Sequence, residues 1–194
     1  DYVLPNKGLT EKSLDANYFQ HVPYLDEYNA KNKTDIVYTA KVHLEPMGVY
    51  SNSLKKISDA KDGATVAVPN DATNESRALK LLAREGLIKV ADKDLLTKND
   101  ITENPKNIQF TTANIAQLTQ NMPNVDFICT AKMFPVSNNI DQKAEVCTST
   151  DLTDYGVGFV VTSDNKDASW TKDLLAAYTS YAMKQQIRDL FQGC

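Results

Sequence analysis

Residues 63–71, GATVAVPND, carry the strongest fold signal in the sequence. Its first six residues are a short apolar run, with Lys61 and Asp62 before it and the turn-forming residues Pro69 to Asp71 after it. A short apolar run with such borders is typical of a strand that is buried on both faces. Strands of this kind occur in sheets that carry helices on their faces, so the stretch predicts an α/β fold.

The residues after this strand predict a helix. Asp71 or Thr73 can cap its start, and Gly86 can end it. Small and apolar residues recur at the i, i+3, i+4 spacing of one helix face. That face consists of Ala78, Leu81, Leu82 and Gly86.

Strand and helix patterns alternate along the rest of the chain. Further strands are predicted at residues 35–44, 107–112, 125–129 and 156–161, and helices at residues 115–122 and in two segments of 169–192. Apolar faces are predicted for these last two helices, formed by Leu174, Leu175 and Tyr178 and then by Met183, Ile187, Leu190 and Phe191. This alternation predicts parallel sheets covered by helices, with a turn at residues 45–48.

Composition excludes several classes of protein. The 194 residues are 42% hydrophobic and 24% charged, as in ordinary globular proteins. With 21 basic and 25 acidic side chains the net charge is −4, and no basic cluster suited to nucleic acid is present. The sequence contains no phosphate-binding glycine loop, nucleophile elbow or zinc-protease motif. These observations favour a binding protein without a cofactor over an enzyme.

Cysteines and histidines give no metal or redox motif. The three cysteines, Cys129, Cys147 and Cys194, lack the C-x-x-C spacing, and the two histidines, His21 and His43, lack a partner at metal-ligand spacing. Buried small hydrophobic side chains are the simplest interpretation of the cysteines. Because Cys129 and Cys147 both lie in strand-like runs, a bridge between them is left open.

Arg77 lies in the first two turns of the helix that follows Asp71. Unpaired N–H groups and the positive end of the helix dipole attract an anion, and a guanidinium can hold a carboxylate through two charge-assisted hydrogen bonds. The pattern therefore predicts capture of an amino acid by Arg77, with Asn70 and Asn74 in the same candidate set. The alternative is that Arg77 pairs with Glu75 or Asp71 on a solvated surface.

A second candidate set lies in residues 17–25, which are dense in aromatic side chains. Phe19, His21 and Tyr24 can line a small pocket, in which aromatic faces pack a thioether or alkyl group and His21 donates to a carboxylate. Each aromatic residue taken singly is more often part of a hydrophobic core.

Several strings of the sequence, in the same order, resemble the methionine-binding NlpA/MetQ lipoprotein family. The match is dense from residue 1 to about residue 107 and looser afterwards. The strings are residues 1–7, DYVLPNK; 14–25, LDANYFQHVPYL; 42–51, VHLEPMGVYS; 62–71, DGATVAVPND; 76–79, SRAL; and 100–106, DITENPK. The resemblance implies a bilobed type II periplasmic-binding-protein fold, a periplasmic or lipid-anchored location, and delivery of methionine or a related ligand to an ABC permease.

The resemblance also implies roles for individual residues. The rings of Tyr2, Phe19, His21 and Tyr24 would surround the ligand, and Arg77 would hold its carboxylate. On this basis we expect an extracytoplasmic solute-binding protein for methionine, a related amino acid or a short peptide, with no catalytic activity.

Two departures from the family pattern affect the ligand. The chain has Ala131-Lys132-Met133 where family members usually carry Asn-Gly-Asn, and Tyr155-Gly156-Val157 where they carry Tyr-Ala-Asn. Loss of these amides keeps open a pocket-degenerate surface or interaction protein, such as an antigen, adhesin or assembly component. An enzyme on the same fold would have Cys129 or His21 as its nucleophile or general base.

Two lobes are expected, one from residues 1–44 with 154–194 and the other from residues 45–153. Residues 1–7 carry no signal-peptide pattern, and the abrupt start suggests that an upstream segment with an export signal or anchor was removed. Family members carry a further β-α-β unit before the string at residues 1–7, so we expect an incomplete first lobe. An exposed sheet edge and apolar face would then favour self-association.

Overall fold

The structure is a computed structural model that describes residues 2–150 and 153–190. The chain folds as two compact units, one formed by residues 1–45 and 151–194 (unit 1) and the other by residues 46–150 (unit 2). The predicted positions Phe191 and Cys194 lie outside the described residues. No helix among the described residues has the length and apolar character needed to cross a membrane.

Helices and strands alternate along both units. The helices are α1 Leu4–Thr10, α2 Val22–Asn32, α3 Ala72–Arg84, α4 Leu118–Asn121, α5 Met133–Ser137, α6 Ser169–Tyr178 and α7 Tyr181–Leu190. The strands are β1 Ala16–His21, β2 Val37–Leu44, β3 Met47–Tyr50, β4 Thr65–Pro69, β5 Lys89–Val90, β6 Ile101–Glu103, β7 Gln109–Ala113, β8 Phe127–Ala131, β9 Glu145–Thr148 and β10 Gly156–Val161. The strands predicted at residues 35–44, 63–68, 107–112, 125–129 and 156–161 are thus confirmed, as is the α/β class.

Unit 1 contains a three-stranded sheet in the order β1-β10-β2. Strand β10 runs antiparallel to both neighbours, so β1 and β2 run in the same direction and are joined by α2. Leu9, Leu25, Ile36 and Val160 form a buried cluster on this sheet. The expectation of parallel pairing is wrong for this unit, because the returning chain inserts β10 between two strands that would otherwise be neighbours.

Unit 2 contains a five-stranded sheet in the order β7-β4-β8-β3-β9. Strand β4 is parallel to β7 and β8, while β3 is antiparallel to β8 and β9. All strands but β3 therefore share one direction. Strands β3 and β8 are buried along their whole length, as expected for the centre of a sheet covered by helices. A separate two-stranded sheet pairs β5 with β6.

Helix α3 follows the predicted pattern closely. Asp71 caps its start, and Ala78, Leu81 and Leu82 are buried. Gly86 lies just beyond the helix with φ of +78°, a conformation in which glycine ends helices without steric cost. Gly86 is exposed rather than part of the buried face, which corrects that detail of the prediction.

The turn predicted at residues 45–48 is wrong in its second half. Met47 and Gly48 belong to β3, which has hydrogen-bonded neighbours on both sides. Pro46 precedes the strand and needs no ladder donor there, so a Pro-x-Gly pattern is compatible with a strand start. The apolar residues of α6 and α7 are also less buried than predicted: Leu174, Tyr178, Met183 and Ile187 are half-buried, and Leu190 is 65% exposed.

A Cys129–Cys147 disulfide is contradicted by the sheet register. Both cysteines are Cα partners of Val49, one in β8 and the other in β9, on opposite sides of β3. Two strand spacings separate their Cα atoms by about 9.5 Å, whereas a disulfide needs less than about 7 Å. Both thiols are free.

Candidate ligand-binding residues

In unit 2, the N-terminal turn of α3 holds a hydrogen-bonded polar group. The Asp71 carboxylate accepts from the Asn74 backbone N–H at 2.9 Å and from the Asn74 side-chain amide at 3.0 and 3.1 Å. The Thr73 hydroxyl donates to the same carboxylate at 3.1 Å. These contacts satisfy the capping role of Asp71 and fix the orientation of the Asn74 amide, whose oxygen points away from the carboxylate.

Arg77 completes this group. Its guanidinium Nη1 donates to Asn74 Oδ1 at 3.1 Å, and the residue is only 5% exposed. Burial contradicts the alternative of a solvated surface pair, and Glu75 accepts instead from the Lys98 backbone N–H at 3.0 Å. Asp71, Asn74 and Arg77 therefore form a chain that orients a buried guanidinium, a geometry suited to binding a carboxylate.

Asn70 is placed differently from Asn74 and Arg77. Its backbone N–H donates at 2.9 Å to the carbonyl of Ala113, the last residue of β7, and Asn70 is exposed. Of the three candidates in unit 2, the structure brings Asn74 and Arg77 together and places Asn70 at the adjoining strand end.

In unit 1, three of the predicted aromatic residues form one cluster. The ring centroids of Tyr2 and Phe19 are 5.1 Å apart, those of Tyr2 and Tyr24 are 5.3 Å apart, and those of Phe19 and Tyr24 are 5.8 Å apart, all edge to face. The Tyr24 hydroxyl donates to the Tyr2 carbonyl at 2.8 Å. Tyr2 and Phe19 are half-buried, so part of the cluster is accessible to a ligand.

His21 joins the cluster through the start of α2. It caps that helix, and its Nδ1 accepts from the Tyr24 backbone N–H at 3.1 Å. A neutral ring that accepts at Nδ1 carries its proton on Nε2, so Nε2 is a hydrogen-bond donor. The Tyr155 ring lies 5.2 Å from the His21 ring, edge to face. Tyr155 was not among the predicted site residues, although it begins one of the two departing strings.

The positions that lack the expected amides differ in burial. Ala131, at the end of β8, is 2% exposed, and Val157 in β10 is 5% exposed. Val157 is the Cα partner of His21. Met133 begins α5 and is half-buried. Apolar side chains thus occupy each of these positions, and two of them are almost fully buried.

Sequence reasoning also missed a polar chain in unit 1. The Tyr18 hydroxyl is hydrogen-bonded to His43 Nδ1, and His43 Nε2 lies 3.0 Å from Glu45 Oε2. Burial, followed by the Glu45 charge, raises the pKa of Tyr18 well above its ordinary value. The signal available in the sequence was the string VHLEPMG, where a histidine and a glutamate two residues apart point to the same side of a strand.

The residues proposed for an enzymatic rival do not fit that role. Burial raises the pKa of the Cys129 thiol far above neutrality, which keeps it protonated and a poor nucleophile. His21 is used to cap α2. Within residues 2–150 and 153–190, no cluster of three or more His, Cys, Asp or Glu side chains is arranged to hold a metal ion.

Comparison with solved structures identifies the class of fold. The chain is similar to a methionine-bound nutrient-binding protein from Burkholderia cenocepacia, with 36% identity and a TM-score of 0.96 over 100% of this chain and 83% of that one. It is also similar to an ABC transporter periplasmic substrate-binding protein from Coxiella burnetii, with 32% identity and a TM-score of 0.94 over 98% of this chain and 82% of that one. The fold is that of the periplasmic substrate-binding proteins.

The family follows from sequence. The model of the NlpA lipoprotein family matches residues 1–194. The probable D-methionine-binding lipoprotein MetQ of Pasteurella multocida is 35% identical over 196 residues, which cover 100% of this chain and 71% of that protein. The chain belongs to the NlpA lipoprotein family.

Proposed function

We propose that this protein is the solute-binding component of an ABC importer and that its ligand is methionine or a related amino acid or short peptide. The observation that carries the proposal is Arg77, a buried guanidinium oriented by Asn74 in the first turns of α3. Relatives with methionine in their names support the ligand class.

In unit 2, the ligand carboxylate is held by Arg77. Burial excludes water and strengthens a guanidinium–carboxylate pair, and the helix N-terminus adds its positive potential. Asn74 acts as the support that keeps the guanidinium plane in one orientation, and Asp71 in turn supports Asn74.

In unit 1, the cluster of Tyr2, Phe19 and Tyr24 offers a surface on which an apolar side chain can pack. A thioether is polarisable and packs well against aromatic edges and faces. Nε2–H of His21 supplies a directional donor beside these rings. Together the cluster offers an apolar surface with one polar contact, which is the usual composition of a small-molecule site.

A second candidate function is a surface or interaction protein that keeps the transport fold without its ligand. The observation that favours it is the burial of apolar Ala131 and Val157 where amides were expected. A ligand ammonium or carboxylate left without partners there would cost about 1–3 kcal/mol per missing hydrogen bond.

Binding to a panel of ligands decides between the two functions. The protein is unfolded, dialysed and refolded to remove any carried ligand, then melted with L-methionine, D-methionine, norleucine and short methionine peptides. Norleucine is the control, since it keeps the chain length and lacks the sulfur. A ligand at 100 times its Kd adds about 2.7 kcal/mol of stability. If no ligand shifts the melting temperature and calorimetry detects no binding heat, the interaction protein is favoured.

Location and partners complete the proposal. The protein acts outside the cytoplasm, at the cell envelope, as expected of a lipoprotein family, and delivers its ligand to an ABC permease. Co-purification of the permease with the ligand-loaded protein, and not with an Arg77→Ala variant, tests this partner.

Self-association is a further part of the proposal. Large apolar side chains are exposed in unit 1, among them Tyr181 at 79%, Leu190 at 65% and Val3 at 59%. Such exposure favours contact with another apolar surface. Sedimentation at several concentrations tests it, and a monodisperse monomer with ordinary cooperative melting would contradict it.

A further inference from the structure

Three buried amides in unit 1 form a closed hydrogen-bonded network. Asn6 in α1 and Gln20 in β1 are 0% exposed, and Asn17 in β1 is 6% exposed. Asn6 Nδ2 donates to Gln20 Oε1 at 2.8 Å, Asn17 Nδ2 donates to Asn6 Oδ1 at 2.9 Å, and Gln20 Nε2 donates to Asn17 Oδ1 at 3.0 Å and to Asn6 Oδ1 at 2.5 Å. Each amide thus donates to at least one other member and accepts from at least one, and the Asn6 oxygen accepts from both of the others. We call these three residues the amide triad.

Burial of three amides is costly, and apolar side chains of similar shape would fill the same space without that cost. Polar networks that are fully satisfied gain specificity instead, because only one arrangement of the chain satisfies them. The amide triad therefore fixes one packing of α1 against β1, and with it one local conformation of β1.

This local conformation is a β-bulge at Phe19. Tyr18 is the Cα partner of Phe159, and Gln20 is the partner of Gly158, so one step along β10 matches two steps along β1. Phe19 is the extra residue. Bulges of this kind redirect side chains and are frequent beside functional sites.

The amide triad requires this bulge. Asn17 and Gln20 are three residues apart, and in a regular strand residues three apart point to opposite faces. Both nevertheless contact Asn6 in α1. The extra residue changes the alternation and brings both side chains to the α1 side. Removing the bulge would break at least one contact of the triad.

The bulged residue, Phe19, is itself a member of the aromatic cluster. Phe19 packs edge to face against Tyr2 and Tyr24, and the Tyr2 hydroxyl lies 3.4 Å from the Phe19 carbonyl, a long contact to the bulged backbone. Tyr2 stands just before α1, the helix that carries Asn6. The triad therefore controls both the position of Phe19 on β1 and the position of Tyr2 relative to it.

We infer that Asn6, Asn17 and Gln20 are positioning residues for ligand binding, which lock the bulge at Phe19 and so place the rings of Tyr2, Phe19 and Tyr24. The role in binding rests on the proposed function. The lock on the bulge does not, since it is a property of the ligand-free protein.

The test replaces the triad by apolar side chains of similar shape in the variant Asn6→Leu, Asn17→Leu, Gln20→Met. Hydrogen exchange of the Tyr18 to His21 amides is followed by NMR without ligand, and methionine affinity is measured by calorimetry. We expect cooperative melting, at least tenfold faster exchange in this segment, and at least tenfold weaker binding. Thr130→Val, which changes a buried hydroxyl in unit 2, is the matched control and should leave the segment unaffected.

A single variant covers the case in which the triple variant does not fold. Gln20→Glu replaces the donating amide by a carboxylate that faces the Asn6 and Asn17 oxygens at pH 8. Protonation near pH 5 restores a donor, so binding relative to the parent at the same pH should be weak at pH 8 and recover at pH 5. Parent-like exchange rates and affinity in the folded triple variant, or in Gln20→Glu at pH 8, would overturn the inference. If the parent binds no methionine, the proposed ligand fails, while the exchange rates still decide whether the triad locks the bulge.

Discussion

The polar group of unit 2 and the aromatic cluster of unit 1 are built in opposite ways. Asp71, Asn74 and Arg77 lie within seven consecutive residues, and each contacts the next at a spacing of three. The aromatic cluster takes its members from the segment before α1, from a bulge in β1 and from the first turn of α2, with Tyr155 added from beyond residue 150.

This difference in construction affects how strongly a single substitution weakens ligand binding. The polar group depends on a single charge and on the local geometry of one helix turn. The aromatic cluster shares its apolar surface among several rings, so the loss of one contact is partly compensated by the others. We therefore expect single substitutions to have larger effects on binding in the polar group than in the cluster.

The largest effect is expected for Arg77→Ala. Removing one partner of a buried charge pair costs about 3 kcal/mol, which corresponds to roughly 100-fold weaker binding of any amino acid. Because Arg77 is buried and donates to Asn74, the ligand-free melting temperature should fall as well. Calorimetry and thermal melting check both. Arg77→Lys, which keeps the charge without the planar donor pair, should also bind poorly, and unchanged binding in either variant would contradict the proposed role.

The next effect concerns the apolar residues Met133 and Val157, which stand where the family pattern has amides. The double change Met133→Asn with Val157→Asn should strengthen methionine binding about tenfold, since a well-placed hydrogen bond contributes about 1–1.5 kcal/mol. Without ligand the melting temperature should fall, because Asn replaces buried Val157. Calorimetry measures the gain, Met133→Leu is the control, and Ala131→Asn tests the neighbouring position.

The outcome of this change also discriminates between the two candidate functions. Tight methionine binding by the parent would mean that other groups replace the missing amides. No binding by the parent or by any of these variants would favour the surface or interaction protein.

A smaller effect is expected for Asp71→Ala. Loss of an N-cap costs about 1 kcal/mol, which lowers the melting temperature of a protein of this size by about 2–4 °C. Methionine affinity should fall as well, because Asp71 holds the Asn74 amide that orients Arg77. Asp71→Asn retains an oxygen acceptor and serves as the control. A fall in melting temperature without any change in affinity would separate the cap from the ligand contact.

The smallest effect concerns alkaline pH in unit 1. Burial raises the pKa of Tyr38 from its ordinary value of 10.0 to about 12, so folding opposes loss of its proton. Stability is then fully present below pH 10 and declines as the pH rises toward 12. Melting temperatures between these pH values should decline less steeply for Tyr38→Phe than for the parent. Tyr181→Phe, at a residue that is 79% exposed, should follow the parent curve.

Local signals predicted much of unit 2 correctly. The buried strand β4, the cap at Asp71, the apolar face of α3 and the glycine that ends it all follow from residues within a few positions of one another. The proposed contact between Arg77 and a carboxylate stays a prediction. Its buried setting was not evident in the sequence, because Ser76 and Glu75 beside it suggest an exposed helix face.

Unit 1 was less predictable for a physical reason. A bulge shifts the alternation of a strand by one residue, so a period-2 pattern cannot be read across Phe19. The residues that make the bulge favourable, Asn6 and Gln20, lie in different elements. Helices α1 and α2 and strand β1 were accordingly absent from the predicted elements, although their residues carried the family resemblance.

The α/β class, most of the strands, helix α3 and membership of a family could be predicted from the sequence, because periodicity, caps and ordered strings are properties of neighbouring residues. Three features became evident only from the fold: the insertion of β10 between β1 and β2, the extension of β3 through Met47 and Gly48, and the separation of Cys129 from Cys147 by a strand. The fold also brought Tyr155 to His21 and the amide triad around the bulge. These features depend on pairings between distant segments, whose geometry no local pattern specifies.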